Sequence, residues 1–406
     1  MFYNLCEMKL PTYSKHSAHW LLDSEIVFLN HGSFGATPKF ILEKQNQYRA
    51  QMEAEPVRFM IRELENMVWE TKTSLGNFLG AQPEDLAFVP NATYGVNTIL
   101  NSLEFNEGDE LLTHNHAYGA CFNTMKFIAE KRKAKMVVAE IPYPLTDENE
   151  VVEAILKSVT PKTKIAMIDF ITSATGVVFP IEKIVKALQE RGVDVLVDGA
   201  HAPGMMDFSI DKIGAAYFTG NCHKWICTPK GSAFLHVRKD KQKFISPLTV
   251  SHTYDVPDAQ EKLWSSHFFW PGTNDFTAYL CIKDAIEYFE NNFEGGWKGM
   301  RNYNHSLCLQ ARKLISEKTG LPLTCPENMI GNLSNIFIGE TELPPFGFNY
   351  IHPIQEKLFQ QYKIEVPVFI WNNKHPRTWL RISVQAYNSI EQFDYLAEAL
   401  KELLNN

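Results

Sequence analysis

An α/β architecture with a mainly parallel sheet is predicted by two observations on the 406-residue sequence. Between about residues 86 and 237, short apolar runs alternate with stretches of helical periodicity, the pattern of repeated strand-helix units. Beyond about residue 276 this gives way to long amphipathic stretches and shorter strand-like pieces, which read as a smaller α+β domain. The chain is therefore divided into an N-terminal segment (1–35), a large domain (36–275) and a small C-terminal domain (276–406).

Seven candidate strands fall at 86–89, 110–113, 136–141, 165–170, 193–197, 216–219 and 233–237. Most are apolar enough to be covered on both faces, as parallel strands are. The clearest helix begins at Pro180, whose ring suits a first turn, sets Ile181, Ile184, Val185 and Leu188 on one face, and stops at Gly192. In the C-terminal part, helices are expected at 279–293, 300–319 and 390–404, with strands at 333–338, 364–370 and 379–384. The segment 15–38 reads as loop. It contains Leu29-Asn30-His31-Gly32-Ser33-Phe34-Gly35, whose glycines permit backbone shapes suited to a site.

With 45% apolar and 21% charged residues the composition is that of an ordinary globular protein. The net charge of −8, with both signs interspersed, gives no electrostatic footprint for nucleic acid or an anionic membrane. No apolar run approaches the roughly 18 residues of a membrane span, and the start lacks the pattern of a signal peptide, so a cytoplasmic location is expected. The seven cysteines are scattered and odd in number, so reduced thiols are expected. His114 and His116 form a pair without a third clustered ligand, so no metal site is expected.

Neither a G-x-G-x-x-G fingerprint, nor a G-x-x-x-x-G-K-[ST] loop, nor a G-x-S-x-G elbow occurs. Two polar segments instead sit near candidate strand ends, 195–204 around Asp198 and His201, and 218–225 around Asn221, His223 and Lys224. An Asp closing a buried strand, followed about 25 residues later by a Lys between His and Trp, suits pyridoxal 5′-phosphate, which needs a Schiff-base lysine and a carboxylate on its ring nitrogen. Asn91-Ala92-Thr93-Tyr94-Gly95 stands where strand gives way to helix and offers N–H groups to a phosphate. Read singly, Asp198 could equally cap a helix and Lys224 could be solvated.

Taken together, these segments resemble the fold-type I pyridoxal-phosphate enzymes of the class V aminotransferase family, with the isopenicillin N epimerase-like branch the nearest in look. That branch also holds hercynylcysteine sulfoxide lyases and L-cysteine desulfhydrases. The resemblance runs from about Phe28 to Tyr387 and includes His116-Ala117-Tyr118-Gly119-Ala120, Gly272-Thr273-Asn274-Asp275 and Leu380-Arg381-Ile382-Ser383. It implies a seven-stranded, mainly parallel sheet with helices on both faces, in which the large domain binds the cofactor. It further implies that Lys224 forms the Schiff base, Asp198 pairs with the ring nitrogen, His201 bonds the phenolic oxygen and His116 stacks on the ring. Phosphate would be held by Ala92, Thr93, Asn221 and His223, and by Thr273 from a second subunit, hence a homodimer. Arg381 would bind the substrate α-carboxylate, with Asn30 and His31 close by, and Arg58 would face the distal end. A surface ion pair is the plainer reading of Arg381 and of Arg58.

The chain departs from the family at two places. It has no cysteine after Cys325, whereas desulfurases deliver a nucleophilic cysteine shortly before the substrate arginine. Phe170 stands where the branch often has histidine. The reaction expected first is β-elimination on cysteine, an S-substituted cysteine or its sulfoxide. Tyr118 is the expected acid for the departing sulfur, although core packing would explain it too. Epimerisation, with His31 as the acid on the opposite face, ranks second and transamination third; a cofactor-binding homologue without turnover is disfavoured by intact Lys224, Asp198 and Arg381.

Overall fold

The computed structural model describes residues 10–252, 254, 264–341, 350–371 and 376–405. A two-residue strand β1 (Val27–Phe28) precedes the main sheet, formed by β2 (Leu86–Val89), β3 (Glu110–His114), β4 (Lys135–Ala139), β5 (Thr163–Asp169), β6 (Asp194–Asp198), β7 (Tyr217–Asn221) and β8 (Ala233–Val237). Its seven strands lie in the order β2-β8-β7-β6-β5-β3-β4. Only β8 runs against its neighbours, β2 and β7; the other pairs are parallel. The seven expected strands are all present, with ends displaced by no more than about two residues.

Alternation along these strands buries both faces. Ala166, Ile168, Val195 and Val197 join one apolar cluster, while Ile165, Met167, Leu196 and Tyr217 join a second on the opposite face. The edge strand β4 is less covered, with Lys135 exposed. The helix Ile181–Gln189 buries the four apolar side chains its periodicity nominates, and burial of that kind is worth about 1.5–3 kcal/mol per side chain.

Strands β9 (Leu333–Glu340), β11 (Val368–Trp371) and β12 (Arg377–Ser383) make a separate three-stranded antiparallel sheet in the order β11-β12-β9. The run expected as one strand at 364–370 is broken at Val366-Pro367, and its first part, β10 (Ile364–Glu365), pairs in parallel with β1. Proline cannot donate to a ladder, which accounts for the break. The long helices Thr277–Asn292, Gly296–Thr319 and Ile390–Asn405 match the amphipathic stretches. Among the described residues no helix is long and apolar enough to cross a membrane.

The N-terminal segment is more ordered than a loop. A 3-10 turn spans Lys15–His19 and a helical turn spans His31–Phe34. Gly35 ends that turn at φ +72°, and a Cβ there would lie 2.0 Å from the His223 carbonyl oxygen, so the segment packs directly against the loop after β7.

Candidate active site

Ligands of open α/β sheets bind outside the carboxyl ends of the strands. Here the residues following β2, β3, β5, β6 and β7 supply Ala92, His116, Ser173, His201 and Lys224 at that edge. The Lys224 loop is held tightly: besides Gly35, Gly204 at φ +86° leaves no room for a Cβ, which would fall 2.4 Å from the Trp225 carbonyl oxygen. Cys222 and Cys227 are fully buried beside it, and burial raises both thiols, leaving them inert.

Lys224 Nζ lies 3.0 Å from His201 Nε2, and both side chains are buried. The Trp225 indole N–H donates to His201 Nδ1 at 3.3 Å, so the imidazole proton belongs on Nε2. That tautomer meets a free amine, not an ammonium. Burial, helped by the Arg381 charge and opposed by Asp198, lowers Lys224 to about 8 and brings the free amine within reach at neutral pH.

Asp198 ends β6 and accepts the Ala200 N–H at 3.0 Å through Oδ1, while Oδ2 is buried without a hydrogen-bond partner. Burial and the neighbouring Asp169 raise it to about 6. Asp169, the register partner of Asp198, is raised to about 8 by burial. Its Oδ1 lies 3.4 Å from His114 Nε2, a nitrogen that also accepts the Asp169 N–H at 3.1 Å. His116 is fully buried, bonded at Nδ1 to Thr175 Oγ1 at 2.8 Å, with Nε2 unpartnered and its ring 4.5 Å from that of Trp371.

Arg381 enters from β12. It is 4% exposed, and its Nη1 donates to the Ser173 carbonyl at 2.7 Å while Nη2 donates to Ser33 Oγ at 3.1 Å. Its Nε is buried without a partner, and no carboxylate pairs with the guanidinium among the described residues. Burial depresses it to about 10, opposed by Tyr118. Ser33 Oγ in turn donates to Asn30 Oδ1 at 2.6 Å, and Asn30 Nδ2 donates to Glu365 Oε1 at 3.1 Å. This chain turns the Ser33 lone pairs toward Arg381.

The remaining expected residues take more varied places. His31 is buried with both ring nitrogens engaged: Nε2 donates to the Lys224 carbonyl at 2.9 Å, and Nδ1 accepts from the Tyr387 hydroxyl at 3.0 Å. The Ala92 N–H is taken by Asn221 Oδ1 at 2.9 Å, and Asn91 Oδ1 caps Tyr94, which leaves the Thr93 N–H in the first turn of the helix Ala92–Ser102. His223 donates from Nδ1 to the Ser232 carbonyl at 2.9 Å, so Nε2 carries a lone pair until a second proton is added; burial opposes that, lowering the ring to about 4. Tyr118 is 45% exposed, its phenol raised by burial and influenced by Asp198 and Arg381. Thr273 is exposed on this chain, beside a cavity of about 260 Å³. Arg58 is exposed and pairs with Glu63 at 3.4 Å, outside the cluster. Phe170 turns into the core, edge-on to Phe208. Asp169, Ser173 and Glu365 were not expected in the site.

Three buried polar atoms without partners, Asp198 Oδ2, His116 Nε2 and Arg381 Nε, accompany a lysine poised as an amine. That donor set fits pyridoxal phosphate with an α-carboxylate beside it. The fold is that of the fold-type I pyridoxal-phosphate enzymes, and the chain belongs to the class V aminotransferase family, whose profile, described as "Aminotransferase class-V", matches residues 27–344. Among curated relatives, it is 28% identical to isopenicillin N epimerase of Streptomyces clavuligerus, over 98% of this chain and 99% of that one. It is also 28% identical to a probable chloroplastic L-cysteine desulfhydrase of Arabidopsis thaliana, over 95% of this chain and 84% of that one. Among solved structures it resembles the cystine C–S lyase C-DES in complex with its product cysteine persulfide, with a TM-score of 0.79 and 17% identity over 93% and 97% of the chains. A C-DES mutant with glycine covalently linked to the PLP cofactor matches with a TM-score of 0.78, at 16% identity over 93% and 96% of the chains.

Proposed function

We propose that this chain is a pyridoxal-phosphate enzyme that deprotonates Cα of an amino acid and expels sulfur from Cβ of cysteine, an S-substituted cysteine or its sulfoxide. The observation that carries the reading is Arg381: a guanidinium held among neutral oxygens beside Lys224 and Asp198 is a receptor for an external carboxylate. The bound cofactor supplies an electron sink for the pair left at Cα. Lys224 would hold it, Asp198 Oδ2 would face its ring nitrogen, the His201 Nε2–H would donate to its phenolic oxygen, and His116 would lie against the ring. Thr93 and Asn221 would hold the phosphate, together with Thr273 of a second copy in a homodimer, and His223 would join them once the phosphate charge draws a second proton onto its Nε2.

In the reaction itself Lys224 takes the Cα proton as the free amine. The C–H electron pair becomes the Cα–Cβ double bond as the C–S bond breaks toward sulfur, and the Tyr118 hydroxyl protonates the departing sulfur. Water then converts the released enamine to pyruvate and ammonia. Relatives named as cysteine desulfhydrases support this choice, as does the lack of any cysteine after Cys325 to receive sulfur as a persulfide. An epimerase is the second reading, favoured by the full-length match to isopenicillin N epimerase. It needs an acid on the opposite face, and His31, with both nitrogens engaged, is not placed to supply one.

The test offers the cofactor-loaded protein L-cysteine, several S-substituted cysteines and their sulfoxides. Equimolar pyruvate and ammonia are expected from at least one of them. Inversion at Cα of a β-substituted amino acid without pyruvate would replace the lyase by the epimerase.

A further inference from the structure

Asp169 has no part in the scheme above, yet it is 2% exposed and stands in register with Asp198 at the head of the adjacent strand. Two carboxyl groups this close cannot both be ionised at low cost in a buried place. Every group packed against Asp169 bears on which of them keeps a proton. On β6 there is the Asp198 carboxyl; ahead of the helix Gly119–Arg132 there is the Tyr118 backbone N–H, and on that helix the Cys121 thiol, which burial and the two carboxyls keep protonated; after β7 there is Lys224. On β3 there is His114, whose Nε2 accepts the Asp169 backbone N–H and so carries no proton to offer Oδ1, which lies 3.4 Å away and is buried without a hydrogen-bond partner. A carboxylate oxygen there would stay buried without a donor beside the electron-rich Nε2, whereas a carboxylic O–H could share the Nε2 lone pair with the backbone N–H. His114 offers no countercharge, since burial holds it neutral, at about 3.

We propose that Asp169 is a positioning residue that keeps its proton on Oδ1, directed at His114 Nε2, so that the paired acids carry one negative charge and Asp198 holds it. The neutral acid fixes the site of the charge that would face the ring nitrogen, and a second charge beside the cofactor develops only in alkali. The consequence for the cofactor rests on the pyridoxal-phosphate reading; the place of the proton does not.

Infrared difference spectroscopy of the full chain, wild type against Asp169→Asn, tests it. At neutral pH the wild type is expected to show the carbonyl stretch of a protonated carboxylic acid that shifts in D₂O, fades in alkali and is missing from the variant. No such difference band would overturn the proposal. In the visible absorption of the cofactor-loaded proteins, whatever alkaline change the lysine-bound nitrogen adds to both, a further alkaline change from the second charge should be present in the wild type and missing from Asp169→Asn at unchanged cofactor content. An identical pH titration in both would overturn it as well. Should that variant fail to fold, His114→Leu keeps the acid and removes its acceptor: the carbonyl band should move to higher frequency, and an unmoved band would contradict the assignment. An absent cofactor band with the infrared result intact would indict the cofactor reading alone.

Discussion

The carboxyl edge of the main sheet and the seam between the N-terminal segment and the small antiparallel sheet both bring charge into a buried place, by opposite means. At the sheet edge two acids face each other in register, and burial raises both. At the seam a single guanidinium is bound, among the described residues, by the neutral oxygens of Ser33 and Ser173, and keeps its charge for an outside anion. The first arrangement suits a resident group with a basic nitrogen. The second suits an exchangeable carboxylate. Cofactor and substrate are thus assigned to separate parts of the fold, and substitutions should separate them as well.

The largest effect is expected at the sheet edge. Lys224→Ala should abolish the absorption band of the bound cofactor, and a band identical to that of the wild type would break the assignment. Arg381→Ala strikes the seam: KM for α-amino acids should rise about 10²–10³-fold, as removing a buried charged partner costs several kcal/mol, with cofactor content unchanged. Loss of cofactor in that variant would show that the two regions are not separable. Ser33→Ala removes one neutral arm of the clamp and should raise KM about tenfold or less, the worth of one hydrogen bond to a charged group, with little change in kcat. An equal fall in kcat would place Ser33 in the chemistry.

A separate effect, on stability and not on catalysis, concerns His31, which binds the Lys224 carbonyl and is held neutral by burial, its value lowered to about 3. Its folded value lies below the unfolded one, so the unfolded chain takes up a proton between about pH 6.5 and 3 that the folded chain refuses. The stability contributed by the neutral ring is therefore present above pH 6.5 and lost as pH falls. His31→Gln should flatten the fall of Tm between pH 7 and 5 by an amount equivalent to about 2 kcal/mol, and an unaltered slope would mean that His31 titrates normally.

The same division governs what could be read in the sequence. At the sheet edge a buried apolar run ending in a polar residue marks a site position within a few residues, which is why Asp198, His116 and the Lys224 loop stand out. Asp169 carries the same signal, closing the run that starts at Ile165, but the apolar Phe170 after it extends the expected strand to 170 and masks Asp169 as a strand end. The seam is different. Asn30, Ser33, Glu365 and Arg381 are brought together by the β1–β10 pairing and the small sheet, across more than 300 residues, and meet Ser173 of the sheet edge there; no local pattern announces Glu365. The helical turn at His31–Phe34 was likewise hidden, because its glycines suggest a loop until packing against the Lys224 loop is known.

The most direct test of the central claim is Cα proton exchange, followed by proton NMR in D₂O on the cofactor-loaded protein with L-cysteine and its S-substituted derivatives. The arrangement of Lys224, Asp198 and Arg381 predicts loss of the Cα signal in the wild type, none in Lys224→Ala, and loss only at far higher substrate concentration in Arg381→Ala. A Cα signal that persists in the wild type with every substrate, while the cofactor band is present, would contradict it.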